Sequence, residues 1–457
     1  AKKSHEKGKG EKMSVVEYFA NEYQIKIEPR LPCILCEGKE EPYLPLDLCH
    51  VPAQPCKRKL DKVMTERMLA ALGKLSPEQR FAFIQKFADD FFSRAQHCLR
   101  GFNLEFFQSM VEVKAHILSP PSIHFQVGKK VPYRGAWYVP KGDLFSETEG
   151  KFFFGVLAVN CEIPNEQLLE AADQLKDYGS ALGLQLKHNK NIEHVHTNDL
   201  EASKHLAKAF KDLEDKMPDG KKFVLVVLGN STLYAAVKTV AEKVAGIITQ
   251  CVQEGKLSTV KQEVLWPNIC LKLNAKLGGC NNTVSSDDKN VNAIFINAIF
   301  IGIDVNHPAP GDNHKPSIAA CVASMDKNSF RYRARVSVQM NPDGVVARKE
   351  VVTDLKAMVL DHLNFYIGKQ RRRPERIIVY RDGVGEGQFK EVQAKEVDAI
   401  KKACRSISPN YEPPVTFIIV QKRHHTRFLP IFDKKPINVN VPPGTTVENG
   451  ITQPGHH

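Results

Sequence analysis

Two stretches of this chain alternate short apolar runs with segments whose apolar residues recur every three or four positions, and this restricts the fold more than any other feature. In the first, an apolar run at 152–159 precedes a helical pattern at 165–182, and a run at 223–228 precedes another at 233–251. In the second, strand patterns at 299–303, 317–325, 331–338, 376–380 and 416–420 interleave with helical patterns at 350–366 and 388–404. Such alternation predicts helices laid on a mostly parallel sheet, and hence two α/β domains. The length of 457 residues agrees, because single cores stop growing beyond about 250–300 residues.

The flanking sequence is different. A charged arm holding Lys2, Lys3, Lys7, Lys9 and Lys12 leads into a short helical piece at 15–23 and a Pro-punctuated extended region at 28–55. Between 61 and 98, Met64, Met68 and Leu72, then Phe81, Ile84, Phe87 and Phe91, mark two amphipathic helices parted at Ser76 and Pro77, where Ser caps and Pro opens the second. Four prolines in 118–141 predict an extended linker. The pentapeptide NAIFI occurs twice in tandem, at 292–296 and 297–301, and only the second copy feeds Asp304 directly.

Composition closes off several classes. A 42% hydrophobic and 25% charged chain is globular, and no apolar run reaches the roughly 18–20 residues needed to span a bilayer. The opening AKKSHEK lacks the apolar stretch of a secretory signal and reads as a fragment start. Eleven dispersed cysteines, several inside apolar segments, suit reduced thiols in a cytoplasmic or nuclear protein. Cys33 and Cys36 form one CxxC with Cys49 and His50 downstream, but a zinc site would need a second pair at defined spacing. The excess of 64 Lys+Arg over 52 Asp+Glu, a net +12, implies an anionic partner.

Asp304 follows the apolar IFIGI run and Asp382 follows IIVYR, so both belong at strand ends, where ligand sites of open α/β sheets collect. With one more carboxylate they would form a divalent-metal cage for phosphodiester hydrolysis; an Asp-Gly turn and a loop cap are the plainer alternatives. The GVGEG run at 383–387 misplaces the third glycine of a nucleotide fingerprint. Basic residues cluster at 369–373 and at 422–427 on the rims of the same sheet, as phosphate-binding groups or as a solvated face. In the first α/β stretch, Tyr234 and Lys238 share a helix face, as do Lys272 and Lys276, and Gln250 ends the intervening helix. Lysines converging on a helix start would bind a terminal phosphate, with Tyr234 able to stack on a base; two surface lysine pairs are the alternative. No Walker A sequence is present.

Read in order, these motifs resemble the Argonaute family over nearly the whole chain. The matching stretches are LPCI from Leu31, YLPLDLC from Tyr43, YAAVK from Tyr234, TQCVQ from Thr249 and CLKLNAKLGG from Cys270. They continue with GIDVNHP from Gly302, KPSIAA from Lys315, YRDGVGEGQF from Tyr380 and VQKRHHTR from Val420. The resemblance implies an α/β chain in four parts: the trailing edge of a PAZ domain (1–51), a helical second linker (52–150), a Rossmann-like MID domain (151–277) and a truncated RNase H-like PIWI domain (278–457).

It also implies roles. Tyr234 would stack on the first base of a guide RNA, while Lys238, Gln250, Lys272 and Lys276 hold its 5′ phosphate and Cys251 lines the pocket. The 229–232 loop would meet the first base's edge. Lys422, Arg423, His425 and Arg427 would follow guide phosphates, and Met68 would press on the guide from a linker helix. Asp304 and Asp382 match two metal-binding aspartates; Glu350 matches the third catalytic carboxylate, placed at the opening of a helix, with Asp354 as its competitor. The implied activity is small-RNA-guided silencing by a monomer without membrane association, in which two Mg²⁺ or Mn²⁺ ions hydrolyse a complementary target RNA. The chain stops at His457, before the segment in which the family keeps its fourth metal ligand. A guide-binding module that recruits partner proteins without cutting is the competing function.

Overall fold

The computed structural model describes residues 5–452 apart from 8–10, 36–42, 51–61, 73–74, 108, 140–143, 145–149, 199–200, 230–231, 287–288, 309–314, 340–348, 423 and 434. The chain divides into two compact units, 1–87 and 88–457. In the first, strands His5–Lys7 and Glu11–Met13 pair antiparallel, as do Cys33–Leu35 and Tyr43–Pro45. Helix Val15–Tyr23 starts with a capping box, Ser14 and Glu17 satisfying each other's backbone N–H. The expected helix pair is Lys62–Leu72 and Pro77–Gly101. Ser76 Oγ accepts from Gln79 N at 3.2 Å and Gln79 Oε1 accepts from Ser76 N at 3.0 Å, which starts the second helix where the Ser-Pro pair predicts.

In the second unit, four strands form an all-parallel sheet: β1 (Phe152–Val159), β2 (Leu186–Val195), β3 (Lys221–Leu228) and β4 (Ile248–Gln253), in spatial order β4-β3-β1-β2. Helices α1 (Asn165–Ala181) and α4 (Gln262–Lys276) cover one face through Leu168, Leu175, Trp266 and Leu273. Helices α2 (Ala202–Lys216) and α3 (Tyr234–Val240) cover the other through Leu206, Phe210 and Val237. Connections leave β1 and β3 toward opposite faces, so the crevice at their carboxyl ends is the topological switch point. The chains approach so closely there that a Cβ at residue 229 would stand 1.7 Å from the Asn160 carbonyl oxygen, which restricts the position to glycine.

The sequence pattern predicted one helix over 233–251; the structure corrects this. The helix continues only through an i→i+5 turn at Ala241–Ala245, and Gly246, at φ +66°, terminates it. The chain then extends as β4, so Gln250 and Cys251 lie on an edge strand and not at a helix end. Strand β2 and helix α2 add to the pattern read from sequence: β2, reading LKHNKNIEHV, is a polar edge strand without apolar alternation.

The second sheet is β7 (Tyr332–Val338), β6 (Ile318–Ser324), β5 (Ala298–Asn306), β8 (Arg376–Asp382) and β9 (Val415–Val420), in that spatial order. The expectation of a mostly parallel sheet is corrected here too. The β5–β6 and β6–β7 pairs are antiparallel, while β5–β8 and β8–β9 are parallel. Helices α5 (Leu355–Gln370) and α6 (Phe389–Ile407) pack on one face, against Ile299, Ile301, Ile303, Ile377 and Val379. The 118–141 region is not merely a linker: Ser122–His124 pairs with Lys129–Lys130 and with Thr283–Ser285, and just before it His116–Ile117 pairs with Thr445–Thr446.

The tandem pentapeptides adopt different structures. The first belongs to helix Lys289–Phe295, the second to β5. Asn292 brackets Ser286 through its N–H and C=O, whereas Asn297 takes φ +56° and donates to Glu375, turning the chain into the strand. A five-residue slip would put Asn297 at the place of Gly302, where even a Cβ would meet Val322 at 3.1 Å, and Ala298 at that of buried Ile303. The residues downstream of each copy thus decide which structure the identical local sequence adopts.

His362 on α5 is buried against the sheet, its Nε2 3.1 Å from the Cys321 carbonyl, and burial pushes its pKa below the ordinary value. The fold therefore favours neutral imidazole, and the associated stability is lost as pH falls below the unfolded value of about 6.5. Urea midpoints should drop between pH 7 and pH 5, and His362→Gln should flatten that dependence.

Candidate functional site

Two centres emerge in the second unit. The first is a cleft of about 330 Å³ lined by Lys238, Glu242, Gly246, Ile247, Ile248, Thr249 and Lys276. Three elements converge on it: α3 brings Lys238, the edge strand β4 brings Thr249, and the last turn of α4 brings Lys276, which the buried Gln250 of β4 contacts. Lys238 Nζ donates to Thr249 Oγ1 at 3.0 Å and pairs with Glu242 at 2.8 Å. Lys276 Nζ donates to the Thr249 carbonyl at 3.0 Å and to Gln250 Oε1 at 2.8 Å. Desolvation lowers the Lys276 pKa, and the neighbouring charges of Lys238 and Lys272 lower it further. Among the described residues, Lys276 is held by neutral oxygens while Lys238 has the Glu242 carboxylate, so the two ammonium groups carry more positive charge than their contacts neutralise.

Cys251 is half-buried beside them; burial raises its thiol pKa against the opposing pull of Lys238 and Lys276. Tyr234, the first residue of α3 and 49% exposed, stands one turn before Lys238 and offers a free ring. Lys272 lies on the exposed side of α4, one turn before Lys276. Of the loop expected to meet a base edge, residues 230 and 231 fall outside the described residues.

The second centre lies on the five-stranded sheet, and strand alternation builds it. Ile303 pairs with Arg381, so Asp304 and Asp382 are the next residues on neighbouring parallel strands. Because Ile303 and Val379 face the helices, Asp304 and Asp382 project from the opposite face, which is buried at Ala298, Phe300 and Ile378 and opens toward solvent at the aspartates. Gly383 follows at φ +86°, and a Cβ there would come within 3.3 Å of Asp304 Oδ1, so the glycine both permits the turn and leaves room beside the carboxylate. Lys422, 77% exposed, places its Nζ 3.2 Å from Asp382 Oδ2. It is thus drawn to a carboxylate in addition to lying on the basic rim. His425 and Arg427 are exposed on that rim, and Arg423 falls outside the described residues. Met68, in the first unit, is 47% exposed.

Glu350 corrects the sequence reading in a different way. It does not open a helix: α5 begins at Leu355, with Asp354 at its N-cap, and Glu350 sits in the irregular segment before it. Its carboxylate is held by Arg381 Nη2 at 2.8 Å and His307 Nε2 at 2.7 Å, and His307 Nδ1 contacts Ser317 Oγ at 2.8 Å. Asp354 is engaged by Ser337 Oγ. Arg381 is fully buried and also reaches Glu396 on α6, a fully buried carboxylate, whose pKa burial raises and Arg381 lowers. Among the described residues no three His, Cys, Asp or Glu side chains gather closely enough to enclose a metal ion. The two aspartates are adjacent, whereas Glu350 is tethered to the Arg381 and His307 network. Sequence reasoning missed Arg381, His307 and Glu396; an arginine inside a strand and a glutamate on the apolar stripe of α6 were the signals available.

Comparison with known proteins agrees with this architecture. The Piwi domain family matches residues 223–457 and the PAZ domain family residues 2–69. The Argonaute of Kluyveromyces polysporus, crystallised with a guide RNA, superimposes at a TM-score of 0.72 and 23% identity, covering 96% of this chain and 52% of that one. Drosophila Piwi gives 0.66 and 22%, covering 99% and 58%. The C-terminal lobe of a budding yeast Argonaute gives 0.62 and 22%, covering 75% and 74%. With the Piwi match extending over more than half of its residues, the chain belongs to the Argonaute family, and its second sheet is the RNase H-like core of a Piwi domain. It spans about half the length of the K. polysporus Argonaute.

Truncating Arg381 would strand two carboxylates at once. Arg381→Ala should cost about 3–5 kcal/mol, the usual penalty for breaking a buried ion pair, read as a lowered urea midpoint of the second unit.

Proposed function

We propose that the chain is the guide-binding portion of a small-RNA-guided silencing protein that takes the 5′-phosphorylated end of its guide in the Lys238–Lys276 cleft. The observation that carries this reading is the convergence of Lys238, Thr249 and Lys276 from three separate elements on one small cavity, with Gln250 holding Lys276 from behind and Tyr234 exposed a turn away. A terminal phosphate would replace Glu242 and the Thr249 and Gln250 oxygens as partner of the ammonium groups, while Tyr234 stacks on the first base. Lys272 adds long-range charge, and Lys422, Arg423, His425, Arg427 and Met68 are assigned to the guide beyond its first nucleotide. The likeness to an Argonaute crystallised with a guide RNA supports the ligand class. The parts assigned are PAZ remnant 1–51, linker 52–150, MID 151–277 and PIWI 278–457.

For the full-length protein we propose cleavage of target RNA paired to the guide. Asp304 and Asp382 supply oxygen donors suited to Mg²⁺ or Mn²⁺ on an open face with space beside Gly383. Such an ion would supply Lewis-acid activation of water and of the leaving oxygen. Glu350 would complete the acidic set by leaving its Arg381 and His307 partners or by drawing them with it. Sequence selection would come from base pairing, the protein reading backbone shape. The nine described cysteines form no disulfide, and burial raises the thiol pKa of Cys161, Cys270, Cys321 and Cys404, which suits the cytoplasm or nucleus.

The decisive experiment compares one RNA bearing a 5′ phosphate or a 5′ hydroxyl: the phosphorylated form should bind more tightly, and equal binding would remove the reading. Lys238→Ala and Lys276→Ala should each cost about 1.5–3 kcal/mol, roughly ten- to hundredfold in Kd, and only for the phosphorylated RNA. For cleavage, Asp304→Ala in the full-length protein should abolish cutting while leaving guide affinity intact; if the parent itself never cuts, the recruiting function takes its place.

A further inference from the structure

Glu396 occupies the middle of α6, fully buried on the face that packs against the sheet, where the helix otherwise presents Val392, Ile400 and Ala403. Packing alone would place an aliphatic residue there, since a buried carboxylate costs more than it returns unless its partners are fixed. Its partners are specific. Both oxygens accept from Arg381 Nε, at 3.3 and 3.1 Å, and Oε1 also accepts from the backbone N–H of Val352 at 3.2 Å. Val352 lies two residues beyond Glu350. Arg381 uses its remaining donors on the Glu350 carbonyl at 2.7 Å, on Glu350 Oε1 at 2.8 Å and on the Asp382 carbonyl at 2.6 Å.

One buried carboxylate therefore grips the Glu350 segment twice, directly through Val352 and indirectly through Arg381, and the same arginine ties that segment to the strand end carrying Asp382. A second anchor lies alongside: Gln339, also fully buried, accepts from Thr353 N at 3.2 Å and Thr353 Oγ1 at 2.8 Å. Gln339 fixes the backbone beyond Val352 but does not touch Glu350, Arg381 or any other charged group among its described contacts.

We propose that Glu396 is a positioning residue for the acidic centre, setting the place from which the Glu350 carboxylate acts by clamping Arg381 and the Val352 amide together. This rests on the cleavage reading above and adds to it a residue outside the carboxylates facing the substrate. A merely structural ion pair would stabilise α6 on the sheet without any particular hold on residues 349–354.

The test uses the full-length protein loaded with a 5′-phosphorylated guide, and reads backbone amide hydrogen exchange alongside single-turnover cleavage. Glu396→Gln should speed exchange at 349–354 by about tenfold or more while amides of β1, β3 and β4 keep their protection. Cleavage should fall by about 10²-fold, the usual cost of a catalytic group displaced by an ångström, with guide affinity unchanged. Glu396→Asp, which keeps the charge, should recover part of both. Exchange at 349–354 identical to wild type would overturn the proposal whatever the cutting rate, and so would faster exchange that leaves cutting at the wild-type rate. If Glu396→Gln loosens the whole second unit, Glu396→Asp carries the test by the same two readouts. Should the wild-type protein not cut, the cleavage reading falls, and the local exchange change alone decides whether Glu396 positions the segment.

Discussion

The register between β5 and β8 is the constraint on which the rest of the Piwi portion depends. Pairing Ile303 with Arg381 sets Asp304 beside Asp382, and the two-residue period of a strand sends the aspartates to one face and Arg381 to the other. A slip of one residue would bury an aspartate among the helices and expose the arginine. The interlocking of Ile299, Ile301 and Ile303 with Ile377 and Val379 beneath α5 and α6 makes that slip prohibitive, so the hydrophobic core is what aligns the acidic face.

The charge that alternation throws inward needs compensation. Arg381 is fully buried, and an unpaired guanidinium there would be costly enough to unfold a marginal domain. Glu396 and Glu350 answer it from opposite directions, one from a rigid helix and one from an irregular segment. The cleft between α3, β4 and α4 follows a different plan. Its positive charges are set by helix ends and an edge strand and lie partly in solvent, a suitable arrangement for a ligand that must arrive and settle.

Much of this was legible beforehand. Apolar runs such as FFFGVLAV and FVLVVL read as strands of a covered sheet, and the IFIGID and IIVYRD runs place both aspartates at strand ends. The misreadings share a physical cause. Helical periodicity persists through 233–251 because Val237, Val240, Val244, Ile247 and Cys251 keep a three- to four-residue spacing, and the signal it overrules is a single glycine, Gly246. Strand β2 went unseen because its exposed side is rich in lysine and asparagine, as an edge strand's must be.

By itself, the sequence determined that Asp304 and Asp382 stand at strand ends and that Lys238 and Lys276 each close a helical turn; that the aspartates form a pair and the lysines share a cleft came from the fold. Tertiary structure alone decided the company they keep: that Gln250 meets Lys276 from a strand, that Lys422 leans on Asp382, and that Glu350 is tied to Arg381 and through it to Glu396. The tandem NAIFI copies show why. The same pentapeptide lies mostly in a helix once and mostly in a strand once, because burial and pairing partners contributed by distant parts of the chain outweigh local preference.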